Sequence, residues 1–573
     1  MLKKLITVFV VIALCMSMFI GCSDGRGTDG DRDENGNYRP SADGTVLQFW
    51  GYGDDAETKV FGDIVNAFNG TIGKELNIKV EYTSVPTTNY TESAGMALSD
   101  NNPPDIVYVE DKFVKSWAEA GYLEPLDAKE TDGGYKYPGL EEFLGGNVWE
   151  QGIARYRYNP ETTTSNENDT LWALPKDIGP TVIYYNKTYM DQLDIEIISM
   201  TEEEVAAYNE EHPTAKYPYK GYFTLNGKRY FNNRIAMNWE EVIELAQLMQ
   251  KNIPGCDYGF FTEWWFSYGW SVGGDCVEYT VDENNKGYYK FTLNDDTYNY
   301  IVKDDYEGEL QVGENVYKAG EIISYTDKQS AGNWKANCNQ LPSMKDAFLE
   351  FCALTTPEGK NVGTRTDGSE QKGYAVSMGA TSLGSSQAED FFATGKFGMF
   401  VDGRWEVTGL RENMTAGTWD VAPLPVYKEY NDEGEVTVHG VKAGHSGSVG
   451  LAIAQGSKRK NAAWEFLKFV AGEEGQTSQS EAGFCIPNQK DIANSEVFLQ
   501  SGKDPANSIV FVEAAEYETP GDWWYLKDSL WIDEWANFLN YQVREGKNTV
   551  DELFSIYGES TQQALYKYTN YQP

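Results

Sequence analysis

Between Val46 and Val109 the chain reads strand, helix, strand, helix, strand, and this rhythm constrains its fold more than any other feature. Val46-Leu47-Gln48-Phe49-Trp50 is a strand-like run closed by Gly51 and Gly53. Val60, Ile64, Val65 and Phe68 then recur at helical spacing. Ile78 to Tyr82 alternates as a second strand, and Tyr90 to Leu98 is helical. A turn from Asn101 to Asp105 leads into Ile106-Val107-Tyr108-Val109. Such alternation predicts an α/β fold, a mostly parallel sheet with helices on both faces. Ligands of such sheets sit beyond the carboxyl ends of the strands. Trp50, Tyr52, Glu110 and Asp111 occupy those ends.

Later segments continue the pattern. Thr181 to Tyr185 is a strand that follows a Pro/Gly-marked junction from Leu174 to Pro180. Asn238 is placed to cap a helix over 239–251, with Glu241 completing a capping box. Val449 to Ala454 is a strand, Asn461 to Val470 a helix, and amphipathic helices run from Leu530 to Leu565. Residues 201–234 and 277–333 read as inserts, the second β-rich. At 573 residues the chain exceeds one compact unit, and two or three domains are expected.

The N-terminus carries a processing signal. Lys3 and Lys4 precede an apolar run from Leu5 to Ile20, which is short for a membrane span and reads as a signal-peptide core. It ends in Phe19-Ile20-Gly21-Cys22, which resembles the lipobox of bacterial lipoproteins, with Cys22 the lipid-bearing residue. Residues 1–22 are thus expected to be a signal peptide. Residues 23–44, rich in Gly, Asp and Asn, are expected to be a flexible tether. Asp31 to Gly36 matches half of a calcium loop, but Ala42 replaces the acid needed at the twelfth position.

A formal charge of -41 argues against nucleic acid and anionic lipid surfaces as partners. Cys256, Cys276, Cys338, Cys352 and Cys485 are an odd set, read as buried thiols, with a Cys256–Cys276 or Cys338–Cys352 bridge left open. The three histidines, His212, His439 and His445, have no ligand spacing to a cysteine, so neither a metal nor a cofactor is expected.

Six landmarks in order resemble the family 1 extracellular solute-binding proteins, the maltose-binding-protein group. They are Leu47-Gln48-Phe49-Trp50-Gly51, Pro103-Pro104-Asp105-Ile106-Val107, and Ala120 to Asp127. Leu174-Pro175-Lys176-Asp177 with Tyr184-Tyr185-Asn186-Lys187 follows, then Gly395 to Met399 with Asp402-Gly403-Arg404-Trp405, and last Ser457-Lys458 with Ala463 to Leu467. The resemblance implies a two-lobed periplasmic-binding-protein-like fold, discontinuous in sequence and joined by a hinge that closes on ligand. The lobes are expected at 45–174 plus 446–515 and at 175–445 plus 516–573. It also implies a monomer that delivers a carbohydrate to the permease subunits of an ABC transporter, from a lipid anchor on the outer face of the membrane.

A sugar offers one apolar face, which a ring covers, and a rim of hydroxyls, which carboxylates, amides and Arg bind. Candidate ligand residues are therefore Trp50 and Tyr52, Glu110 and Asp111, and Asp177 at the crossing. Trp264, Trp265 and Asp275 form an aromatic-rich loop, and Trp523 and Trp524 are a further pair. Trp405, flanked by Asp402 and Arg404, stands where the resemblance implies a stacking Trp. Packing alone also accounts for Trp50, and salt bridges to Lys112 or Lys115 for the acids. The alternative is a secreted glycan-degrading hydrolase with a cleft carboxylate pair. Gly444-His445-Ser446-Gly447-Ser448 superficially matches a nucleophile elbow, but lacks the final Gly and a preceding plain strand.

Overall fold

The computed structural model describes residues 25–573, apart from 54, 130–133, 164, 264–265, 379–384, 448, 518–525 and 527–530. The first lobe is built on a five-stranded sheet in the order Ile78–Ser84, Thr45–Gly51, Ile106–Glu110, Val449–Ile453, Leu174–Pro175. Thr45–Gly51 runs parallel to both its neighbours, and Val449–Ile453 is antiparallel to both of its own. The helix Asp55–Gly70 turns Phe61, Ile64, Val65 and Phe68 inward, as their spacing requires. Phe61 packs edge-on against Phe49 of the strand Thr45–Gly51. The second lobe carries a four-stranded sheet in the order Tyr258–Phe261, Phe397–Asp402, Val182–Asn186, Trp419–Ala422. Here Val182–Asn186 is antiparallel to both neighbours.

Strand register fixes which end of each sheet meets the hinge. Gly179–Pro180 and Ser446–Gly447 pair antiparallel between the lobes. Two residues beyond Gly447, Val449 lies opposite Glu110. Two residues beyond Pro180, Val182 lies opposite Asp402. The carboxyl ends of Ile106–Glu110 and Phe397–Asp402 therefore both converge on the hinge. A ligand beyond either sheet lies between the lobes. Ser446 and Gly447 are thus part of the hinge and not of a strand-to-helix elbow.

Two corrections concern the domain limits. Buried hydrophobic residues from Tyr38 to Leu174, Trp149 excepted, share one core with those from Leu451 to Ala471. Ile486, Phe498 and Val510 to Ala515, expected in that lobe, pack instead in the core of the second. Phe511 lies 6.0 Å from Tyr184, ring to ring. An amphipathic helix carries no mark of which sheet it will cover, so periodicity could not assign this stretch.

Residues 25–44, expected as a flexible tether, are folded against the first lobe. Asp31–Arg32 pairs with Tyr38–Arg39 in a hairpin, and Arg32 meets Glu465 at 3.0 Å. The carboxylate of Asp29 accepts the N–H groups of Asn461 and Ala462 at 2.9 and 3.0 Å, capping the helix Lys460–Ala471. Arg26 bonds Asp105 at 2.8 Å. The calcium-like Asp31–Gly36 stretch is a hairpin turn, in which Asp33 accepts the N–H of Asn35 and of Asn37. Charge pairs hold this segment, so its lack of apolar residues was misleading.

Both inserts are folded. The first contains the helix Glu202–Glu211, closed by a Thr201/Glu204 capping box, and a hairpin of Tyr222–Leu225 with Lys228–Asn232. The second holds two two-stranded ribbons and the strand Asn299–Val302, which pairs with Cys338–Leu341 just beyond the insert, with a small core around Val302, Leu310 and Trp334. Asn238 caps the helix Trp239–Asn252 by accepting the N–H of Glu241 at 2.8 Å. Only half of the expected capping box forms, because the Glu241 carboxylate accepts the N–H groups of Gly221 and Tyr222. All five described cysteines are buried free thiols.

Candidate functional site

On the first lobe, the hinge-facing strand ends bring Tyr52, Glu110 and Asp177 into one electrostatic neighbourhood. Tyr52 packs against Tyr90 and Tyr108, with ring centroids at 4.7 and 5.6 Å. Burial, then the carboxylates of Glu110 and Glu57, push its hydroxyl well above the ordinary tyrosine value, and Asp177 adds to the effect. Tyr52 is therefore a neutral hydroxyl, able to donate as well as accept. Gly53 lets the chain turn here: its φ is +148°, and a Cβ would stand 2.3 Å from the Glu57 carboxylate.

The centre of this neighbourhood is Lys176, which lies on the hinge. Its ammonium is buried, 2.8 Å from Glu57 and 2.9 Å from Asp177. It also lies 5.0–5.4 Å from the rings of Phe484, Phe61 and Tyr108. Burial alone disfavours the charge, but Asp177 and Glu57 outweigh it and hold Lys176 protonated above the usual lysine value. Its carbonyl accepts Gln476 Nε2 at 2.9 Å, which ties the hinge to the helix Glu473–Ala482.

On the second lobe, the strand Phe397–Asp402 ends at a buried carboxyl, followed by Trp405 at the start of the helix Glu406–Asn413. Trp405 is half-buried, and its indole lies against Gly403, where a Cβ would come within 2.1 Å of the ring. Asp402 accepts the Gly403 N–H at 2.8 Å. Burial pushes its carboxyl up to about 7. The hydrogen bonds from Gly403 and Trp405 work against that rise, while Glu263 and Glu389 reinforce it. The result is an aromatic ring standing on a group of acids whose field favours protons or hydroxyl donors.

Other sequence candidates fall elsewhere. Trp50 is half-buried on the sheet face opposite Phe49, packed against the first-lobe core, so the packing alternative accounts for it. Glu110 pairs with Lys112 at 2.7 Å but keeps part of its side chain accessible. Asp111 is buried in an ion pair with Arg155 at 3.0 Å and is not presented to a ligand. Asp275 is buried and accepts the Cys276 N–H at 2.6 Å. Arg404 is a correction of a different kind. It is 1% exposed in the second-lobe core. There it donates to Ser508 Oγ at 3.1 Å and to the Gly483 carbonyl at 3.3 Å, and stacks on Phe498. Burial lowers its pKa to about 9. Trp264, Trp265, Trp523, Trp524 and Cys22 lie outside the described residues.

Sequence reasoning missed Glu57, Lys176 and the acids Glu263 and Glu389. The one available signal for Glu57 was its place in the first turn of a helix just after Gly51 and Gly53.

The sequence description of bacterial extracellular solute-binding proteins matches residues 57–347 and 324–477. No curated protein sequence matches the chain. Among solved structures, the chain is similar to an ABC substrate-binding protein of Listeria monocytogenes in complex with cycloalternan. The TM-score is 0.57 at 14% identity, over 92% of this chain and 99% of that one. It is similar to the GacH receptor of Streptomyces glaucescens, solved with acarbose, at TM-score 0.57 and 17% identity, over 92% and 99% of the two chains. UgpB of Mycobacterium tuberculosis, in complex with glycerophosphocholine, aligns at TM-score 0.55 and 14% identity, over 91% and 98%. At these identities the likeness speaks to the fold alone.

Proposed function

The chain belongs to the bacterial extracellular solute-binding proteins, and from that premise we propose that it captures a carbohydrate, an oligosaccharide in length, between its lobes and delivers it to the permease subunits of an ABC transporter. The reading is carried by one observation: both parallel strand ends that meet the hinge combine aromatic rings with carboxyls. Tyr52 with Glu110 and Asp177 stands on one side. Trp405 over Asp402 stands on the other. Rings cover a pyranose face, and carboxylates accept from its hydroxyls. Cycloalternan and acarbose, held by two structural neighbours, are carbohydrates, which agrees with this chemistry. Glycerophosphocholine, held by another, carries a phosphate. The acids around Trp405 disfavour that phosphate, although a ring beside carboxylates also suits its choline cation.

The protein acts as a monomeric binder and not as an enzyme, anchored to the outer face of the membrane by a lipid on Cys22. The apolar run ending in Gly21-Cys22 supports the anchor. Calorimetric titration with glucans, xylans and galactosides tests the ligand class. Micromolar or tighter binding of one oligosaccharide series is expected. Binding of a phosphate ester or peptide, with no sugar bound, overturns it.

A further inference from the structure

The second lobe holds a cavity of about 630 Å³, lined by no residue of the first lobe and by neither Asp402 nor Trp405. Its volume lies within the roughly 300–1,000 Å³ of small-molecule sites. Its walls come from the start of the helix Trp239–Asn252, the helix Met344–Thr355, the stretch from Arg365 to Tyr374, residues 427–431, and Tyr298 of the second insert.

The polar wall is built in advance. Asp346 and Glu350 stand one turn apart on the same helix, and both are buried. Glu350 accepts the Tyr374 hydroxyl at 2.8 Å and Arg365 at 2.5 Å. Arg365 is further fixed through its Nε, which donates to Gln371 at 2.6 Å. Asp346 accepts the backbone N–H of Thr366 at 2.8 Å. The aromatic wall includes Tyr298 and Tyr427, both half-buried, with Tyr427 edge-on to Trp239 at 5.2 Å.

These features narrow the ligand. Five carboxylates face three cations across the lining, which disfavours an anion. A metal ion gains little, because Glu350 and Asp346 already hold hydrogen-bond donors. Ring faces beside fixed acceptors and amides suit a neutral polyhydroxylated ring. We propose that this cavity is a second saccharide-binding site, independent of the cleft, that grips one or two rings of a neutral glycan. Such a site holds the protein on a polysaccharide while the cleft takes its oligosaccharide.

Native electrophoresis through gels containing amylopectin, laminarin, xylan or galactomannan tests this on the full mature protein. At least one glycan is expected to retard the wild type. Tyr298→Ala with Tyr427→Ala should weaken that retardation about tenfold, the loss of a covered ring face, while Trp405→Ala leaves it within twofold. No retardation by any glycan overturns the proposal. So does retardation lost with Trp405→Ala, whatever the tyrosine variant does, because the cleft then accounts for it. Melting temperature is read on every variant, and Tyr298→Ala alone replaces the pair if the pair unfolds. Failure of the cleft reading is distinguishable: calorimetry with short oligosaccharides is then silent while tyrosine-dependent retardation persists.

Discussion

Lys176, on the hinge, places its ammonium 2.8 Å from the Glu57 carboxylate of the first lobe, across 119 residues of sequence. The pair is buried, and Asp177 shares the charge at 2.9 Å. Lys176→Met leaves two carboxylates in a protein interior without their cation. Removing one partner of a buried pair costs about 3–5 kcal/mol. Urea denaturation should show a loss of that order for Lys176→Met and a smaller one for Glu57→Gln, because Asp177 continues to neutralise the lysine. A Lys176→Met variant within about 0.5 kcal/mol of wild type, the ordinary spread for surface sites, would falsify the structural weight given to this pair.

Trp405 should separate binding from stability. If an indole covers roughly 80–120 Å² of a sugar, Trp405→Ala costs about 2–3 kcal/mol of binding, or ~30–150-fold in affinity. Trp405→Phe should recover part of it. Gly403→Ala provides an independent check, because its Cβ would stand 2.1 Å from the indole and push the ring aside. Calorimetry on both variants should show weaker sugar binding with melting temperatures near wild type. A steep fall in melting temperature with unchanged affinity removes Trp405 from the site.

Asp402 gives a pH signature. Burial raises its carboxyl to about 7 in the folded protein, against about 3.9 unfolded. Between those values the folded state holds the proton that the unfolded state has lost. Stability from this group is therefore greatest near the lower value and declines as pH rises toward 7. Asp402→Asn keeps an acceptor for Gly403 and removes the titration. Its stability should fall less than that of the wild type between pH 4 and pH 7, followed by thermal unfolding in matched buffers. Parallel profiles for the two proteins contradict the assignment.

Cys22→Ala addresses the anchor. The variant should appear in the medium or remain unprocessed, with unchanged sugar affinity in its soluble part. Membrane fractionation decides the matter, and retention equal to wild type excludes lipidation at Cys22.

Much of the first-lobe sheet was legible because its strands and the helix after them carry clean periodicity: Leu47 and Phe49 inward, then Phe61, Ile64, Val65 and Phe68 on one helical face. Asn238 was legible as a cap because its bond is local. Arg404 was not, because a buried guanidinium bonded to Ser508 and the Gly483 carbonyl looks in sequence like one bound for a ligand. Asp111 failed for the same reason, its partner Arg155 being 44 residues away. The 630 Å³ cavity assembles side chains from Lys220 to Asn431, a range over which no spacing rule operates.

Under the lipid anchor proposed at Cys22, the folded stretch from Gly25 onward would set how far the protein can wander. Arg26 is already fixed to Asp105 at 2.8 Å, so only residues 23–25 separate it from Cys22. Three residues extend at most about 10–11 Å. With an acyl chain on Cys22, the molecule sits on a leash shorter than the width of its own sheets. So anchored, it could swivel above the lipid, yet it could not drift off or turn its first lobe far from the bilayer. A longer tether inserted before Arg26 would therefore dilute encounters with a neighbouring permease while leaving the sugar site untouched.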